Sequence, residues 1–183
     1  EYLEREPRIV RPANLLRGTP GRGWCVVHGR DGTDVAVINL LGARYLEPSC
    51  SPFEVASSLV DEAAEQAKVI LVDIHAEVTS EKVAMGRHLA GRVTAVLGTH
   101  THIQTNDPAL LRGGTAYLTD AGMTGPHDSV IGVKAEIVLR RFLTQLPQRF
   151  ETAEGDVRLE GALIECDAAT GRATAIETVR RKL

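Results

Sequence analysis

Apolar residues along this chain switch between two spacings, and the switches mark its elements. Val69-Ile70-Leu71-Val72-Asp73-Ile74 and Val93 to Leu97 are short, near-continuous apolar runs, the pattern of strands buried on both faces. Upstream, Phe53, Ala56, Leu59, Val60, Ala63 and Ala67 recur at spacings of three and four, which predicts a helix with one apolar stripe. Ser51-Pro52-Phe53-Glu54 should start that helix as a capping box, with an N-cap Ser, Pro at the first helical position and Glu three residues after the Ser. A second helix is expected from Glu81, capped by Thr79 or Ser80, carrying Met85 and Leu89 four apart and stopping near Gly91. A strand, helix, strand order of this kind favours parallel strands whose ends emerge at the same edge of a sheet.

The flanks read differently. Cys25-Val26-Val27 and Val35-Ala36-Val37-Ile38 are strand-like, and Arg30-Asp31-Gly32 supplies turn chemistry for a hairpin within Gly23 to Leu41. Thr119 to Gly132 is expected to be a glycine-rich loop. Val133 to Leu146 should be helical, with Val138 and Phe142 four apart and Leu139, Leu143 and Leu146 on an adjoining stripe, ending before Pro147. Strands over Val157 to Asp167 and Arg172 to Arg180 flank Ala168-Ala169-Thr170-Gly171, a connection suited to a hairpin.

The chemistry gathers where the buried strands end. One run closes on His75, and the other leads through Gly98 into His100-Thr101-His102. On an extended segment the two imidazoles of a His-x-His pair point to the same side, and the βαβ order brings His75 to that edge too. Neutral imidazole is the commonest protein ligand for zinc, iron and manganese, so three converging histidines read as a metal constellation. Asp73, two residues before His75, is placed to hydrogen-bond near such a shell. Glu77 reads as an exposed loop residue, and His28 and His88, lacking partners at ligand spacing, as structural or surface residues. His127 and Asp128 add polar reach to the glycine-rich loop, but no G-x-x-x-x-G-K pattern is present for a nucleoside-triphosphate cradle.

Asp73-Ile74-His75-Ala76-Glu77-Val78-Thr79-Ser80-Glu81-Lys82 followed by Gly98-Thr99-His100-Thr101-His102-Ile103-Gln104-Thr105 resembles the YmdB-like metallophosphoesterases, a branch of the calcineurin-like phosphoesterases. Gly114 to Pro126, Asp128-Ser129-Val130-Ile131-Gly132, Arg11-Pro12-Ala13-Asn14 and the closing strands extend the resemblance over essentially the whole chain. It implies a calcineurin-like α/β/β/α layered sandwich, one domain over residues 1–183, and a phosphodiesterase that hydrolyses 2',3'-cyclic nucleotides with hydroxide activated by two divalent transition-metal ions, Fe, Mn or Zn. Carried over residue by residue, His75 and His100 become ligands of one metal and His102 of the other. The family pattern also has a strand ending in an Asp motif, a Gly-Glu-Asn motif whose Glu bridges the metals, and a Gly-Asn-His motif that supplies a further ligand and the general acid. Neither the Gly-Glu-Asn nor the Gly-Asn-His string occurs here, so the expectation is a fold incomplete at its N-terminus by about a quarter of the family pattern.

That expectation divides the functional reading. Three neutral histidines offset none of the charge of two divalent cations, so these residues alone should hold one ion weakly rather than a pair. Two accounts stay open: a metal-dependent phosphodiesterase, or a non-catalytic fragment or metal-binding module that needs another chain to complete the site. A sheet deprived of neighbours should also expose apolar surface and an unpaired edge, favouring self-association as a homo-oligomer.

Composition narrows the partners. With 183 residues, 43% hydrophobic and 25% charged, the chain is ordinary for one globular domain. A net charge of −3 offers no basic field for long nucleic acid, which leaves a small phosphodiester or cyclic nucleotide as substrate. Cys25, Cys50 and Cys166 form no C-x-x-C pair and read as reduced thiols. No apolar run is long enough to span a bilayer, so no membrane role and a cytoplasmic location are expected.

Overall fold

The computed structural model describes residues 2–183. In chain order the elements are α1 (Tyr2–Arg5), β1 (Trp24–His28), β2 (Asp34–Leu41), α2 (Pro52–Ala64), β3 (Val69–His75), α3 (Thr79–Leu89), β4 (Ala95–Thr99), β5 (Ala109–Leu111), β6 (Thr115–Leu118), β7 (Gly125–Pro126), α4 (Ala135–Thr144), β8 (Val157–Cys166) and β9 (Ala173–Lys182). Six strands form one sheet in the order β1-β2-β3-β4-β6-β5, and β7-β8-β9 form a second. The β2–β3, β3–β4 and β4–β6 pairs are parallel, while β1 and β5 close the edges antiparallel.

The apolar runs divide their side chains between two packing layers, as strands buried on both faces must. On one face Ile38, Leu40, Ile70, Val72, Ile74 and Val96 pack against Ala56, Val60 and Ala63 of α2 and Met85 and Leu89 of α3. On the other, Leu71, Ala95, Leu97 and Ala116 meet Ile164, Ala173 and Ile176 of the second sheet. This gives the α/β/β succession of the expected sandwich. Residues 157, 159 and 163 of β8 point away from the sheet interface, and Val157, Leu159 and Leu163 are exposed there. These three side chains form an exposed apolar row on the outer face of the second sheet.

Several local expectations change. Ser51 does occupy the N-cap of α2 behind Pro52, but its side chain makes no capping bond. The N-cap of α3 is the extended Val78 rather than Thr79 or Ser80. The carboxylate of Glu81 is engaged elsewhere, accepting hydrogen bonds from the amides of Ala43 at 2.7 Å and Arg44 at 3.4 Å in the loop after β2. β4 starts at Ala95 rather than Val93, and the preceding Thr94 uses its hydroxyl across elements, accepting from the Ile70 amide and donating to the Gly171 carbonyl. The loop from Thr119 contains the two-residue strand β7, paired with β8. Of the expected α4 stripe only Val138 is buried; Leu139, Phe142, Leu143 and Leu146 are exposed. Among the described residues, no helix is long and apolar enough to cross a membrane.

Candidate functional site

β3 and β4 run parallel with His75 beside Thr99 in register, and Asn39 of β2 lies beside Asp73. The carboxyl ends of these strands therefore deliver Asn39, Asp73, His75 and Thr99 to one place, the usual location of sites in parallel sheets. Strand alternation puts Leu71, Asp73 and His75 on the same face, the one toward the second sheet.

The pair His100-Thr101-His102 is not extended. β4 ends at Thr99, and the backbone then bends with φ 134° at His100 and φ 63° at His102. The two rings consequently go to different partners. His100 turns back onto His75, with ring centroids 4.9 Å apart at 76°, and its Nδ1 lies 3.1 Å from His75 Nε2. His102 Nδ1 instead donates to the carbonyl of Ile131 at 2.9 Å. Ile131 itself has φ 48°. Non-glycine residues in this region cost about 1–3 kcal/mol each and concentrate at functional sites.

Hydrogen bonds decide which imidazole nitrogens are free. Thr99 Oγ1 donates to Asp73 Oδ1 at 3.3 Å, so its oxygen accepts from His75 Nδ1 at 3.1 Å. That assigns the proton of His75 to Nδ1 and leaves the lone pair on Nε2. His100 Nε2 is paired with Glu77 Oε2. His102 Nδ1 carries its proton toward Ile131, leaving Nε2 free. Each histidine thus has one nitrogen held by an oxygen and the other directed away from it, the arrangement typical of metal-ligating imidazoles. Asp73 is further fixed by Asn39 Nδ2 at 2.6 Å. Burial pushes the Asp73 carboxyl above its ordinary range, and desolvation, helped by the neighbouring His100, pushes His75 below its own.

These positions can be tested for fit to a metal. The facing nitrogens of His75 and His100 are 3.1 Å apart, a separation compatible with two ligands each about 2.0–2.1 Å from one ion. Glu77 binds the far nitrogen of His100 and so stands behind the ligand rather than beside the ion. Among the described residues, no group of three or more His, Cys, Asp or Glu side chains is gathered to hold a metal. The residues suit part of a metal centre, two neutral donors together and a third apart.

The remaining histidines have local partners. His28 pairs with Asp34, and His88 meets the Ser57 hydroxyl. His127 bonds the Gly125 carbonyl through Nδ1, while its Nε2 lies 3.4 Å from the buried Glu160. Sequence reading missed the roles of Thr99, Asn39 and the Ile131 carbonyl; Glu77 is the exposed loop residue expected, but its pairing with His100 was not foreseen. The first two depend on strand register, for which the only signal was that Asp73 and His75 share a face. Ile131 is brought to His102 by a loop whose path carries no periodic signal.

The family model for YmdB-like proteins matches residues 1–179. The chain belongs to the YmdB-like family. A 2',3'-cyclic-nucleotide 2'-phosphodiesterase of Bacillus subtilis is 47% identical over 179 residues, covering 98% of this chain and 67% of that protein. A crystal structure of a hypothetical protein from Thermus thermophilus superposes with a TM-score of 0.91 at 41% identity, covering 99% of this chain and 69% of that one. The crystal structure of a novel phosphatase from Mycoplasma pneumoniae gives 0.87 at 32% identity, over 99% and 66%. This YmdB-like chain therefore has the fold of phosphatases of the calcineurin-like type and spans about two thirds of the length of the relatives it matches.

Proposed function

We propose that this YmdB-like chain carries part of the active site of a metal-dependent phosphodiesterase acting on small phosphodiesters, with 2',3'-cyclic nucleotides as the substrate class. His75 Nε2 and His100 Nδ1 would hold one divalent ion, Fe, Mn or Zn, and His102 Nε2 a second. Such an ion pair supplies an activated water and charge stabilisation for phosphoryl displacement. The observation that carries the reading is the set of outer hydrogen bonds: Thr99, Glu77 and the Ile131 carbonyl each engage one nitrogen, and the other nitrogens of His75 and His100 face each other at 3.1 Å. The 47% identity to a named phosphodiesterase supports the substrate class.

The chain's own residues orient the donors. Asp73 and Thr99 fix the His75 ring, Glu77 the His100 ring, and Ile131 the His102 ring. The carboxylates of Asp73 and Glu77 are engaged by Thr99, Asn39 and His100 rather than offered as ligands, so further anionic ligands are required for a loaded pair. A net charge of −3 gives no overall basic field for a nucleic-acid polymer, and a cytoplasmic location suits a cyclic-nucleotide substrate.

The test is Mn binding, and hydrolysis of bis-p-nitrophenyl phosphate and of 2',3'-cyclic AMP, by the chain and by the variant His75→Ala/His100→Ala/His102→Ala. Histidine-dependent Mn binding is the expected result, with any turnover by the parent abolished in the variant. Equal Mn binding by both proteins would refute the ligand assignment. Histidine-dependent binding without turnover would show that the ligands are right and that catalysis needs groups outside this chain.

A further inference from the structure

Lys82 and Asp120 are both fully buried, each with 0% exposure. Lys82 Nζ donates to Asp120 Oδ2 at 3.0 Å and to the Thr99 carbonyl, also at 3.0 Å. Asp120 Oδ2 accepts a second hydrogen bond, from the Thr101 amide at 2.9 Å, and Oδ1 accepts from the Gly122 amide at 3.0 Å. The backbone of Asp120 is fixed as well, its amide donating to Thr105 Oγ1 at 2.9 Å and its carbonyl accepting from the Thr105 amide at 3.1 Å. One ion pair therefore grips the carbonyl before His100 and the amide after it. The lysine stem reaches this point by passing against Gly98, where an added Cβ would lie 2.6 Å from Lys82 Cδ.

A buried ion pair is weak evidence for stability, because desolvation opposes its attraction and apolar residues of similar volume often serve as well. This pair does something an apolar pair could not. Past Thr99 the backbone leaves the sheet ladder and its peptide groups need new partners. They receive two charged ones, at the point where His100 takes φ 134°. An unfavourable backbone conformation persists only where its surroundings over-determine it.

We propose that the buried Lys82–Asp120 pair is the positioning device of the histidine loop: it fixes the peptide groups on both sides of His100 and so sets the direction in which His100 and His102 present their nitrogens. Its consequence for metal binding rests on the function proposed above, whereas its hold on the loop does not.

Two experiments separate these. In the unmodified chain, amide hydrogen exchange should find Thr101 and Gly122 protected to the level of the β4 amides; exchange at the rate of the exposed neighbour Ile103 would overturn the proposal. The double variant Lys82→Met/Asp120→Asn removes both charges while keeping side-chain size. It should melt cooperatively near the parent, bind Mn about 10- to 100-fold more weakly in chelator competition, and lose kcat with much less change in KM where turnover is measurable. A folded double variant with Mn affinity within twofold of the parent would overturn the proposal. So would an equal loss of affinity in Thr94→Val, a variant destabilised at the opposite end of β4. Should the double variant fail to fold, the exchange result on the parent decides. A parent that binds no Mn would refute the proposed function and leave the exchange test standing.

Discussion

Thr99→Val removes the link between Asp73 and His75 with little change of volume. The hydroxyl accepts from His75 Nδ1 at 3.1 Å and donates to Asp73 Oδ1 at 3.3 Å. Valine offers neither function, so His75 loses the partner that holds its proton on Nδ1, and Asp73 keeps only Asn39 Nδ2 at 2.6 Å. Burial already pushes the Asp73 carboxyl up, and the Thr99 hydrogen bond opposes it, so the carboxyl should rise further. Leaving such groups unpaired costs about 1–3 kcal/mol, and the length of the Asp73 bond places the expected loss of stability in the lower half of that range.

The effect on the metal site should be larger than this fold change implies. Loss of an outer-shell partner typically weakens metal binding by about 10- to 100-fold, equivalent to about 1.4–2.7 kcal/mol. Urea melts would measure the first quantity and Mn titration against a competing chelator at neutral pH the second, with Thr99→Ser as the rescue. Parent-like Mn affinity in Thr99→Val, or failure of Thr99→Ser to restore it, would refute the relay. A deficit in stability alone would make Thr99 an ordinary core residue.

Other consequences follow from individual contacts. A Cβ at Gly98 would lie 1.9 Å from the Thr119 carbonyl oxygen, so Gly98→Ala should destabilise by about 3 kcal/mol or more in denaturant melts; a loss under 1 kcal/mol would show that the strand shifts freely. Burial raises the Glu160 carboxyl, but hydrogen bonds from the Met123 amide and Arg180 outweigh it and hold it below the usual range. A depressed folded value stabilises above the unfolded pKa and is lost as pH falls through the folded one, so Glu160→Gln should narrow the difference in melting temperature between about pH 7 and pH 3. An unchanged difference would remove Glu160 from the acid transition. With Leu159 and Leu163 on the exposed face of β8, light scattering should reveal concentration-dependent association that Leu159→Thr/Leu163→Thr reduces; a clean monomer at all concentrations would argue against that face.

The central architecture was legible because β3, β4, α2 and α3 carry strong, unmixed periods. Their order led to parallel strands and to His75 and His100 at a common edge. β5, three residues of middling burial, and β7, two residues within a glycine-rich segment, carry too little period to be found. The His-x-His geometry failed for a different reason. Alternation presumes an extended backbone, but the strand ends one residue before His100, and tertiary contacts through Lys82 and Asp120 then set the path. No local pattern pairs a helix lysine with a loop aspartate 38 residues later, and only the fold brings them within 3.0 Å. The exposed stripe of α4 shows the converse, since period alone gives an apolar face without saying what covers it.

The site departs from local preference at the positions where it presents nitrogen donors. His100, His102 and Ile131 all have positive φ, and the last two are joined by a hydrogen bond. A β-branched residue in the left-handed region is unfavourable in isolation, yet here it turns a carbonyl toward His102 and decides which nitrogen of that ring is free. His75 needs no such device, because a buried strand and the Thr99–Asp73 pair already fix it. The donors therefore come from two kinds of support: one from the rigid end of β3, and two from a bent segment held in shape by a buried charge pair. Local rules broken together at one place, and compensated there by buried polar contacts, are what selection for a site rather than for stability would leave.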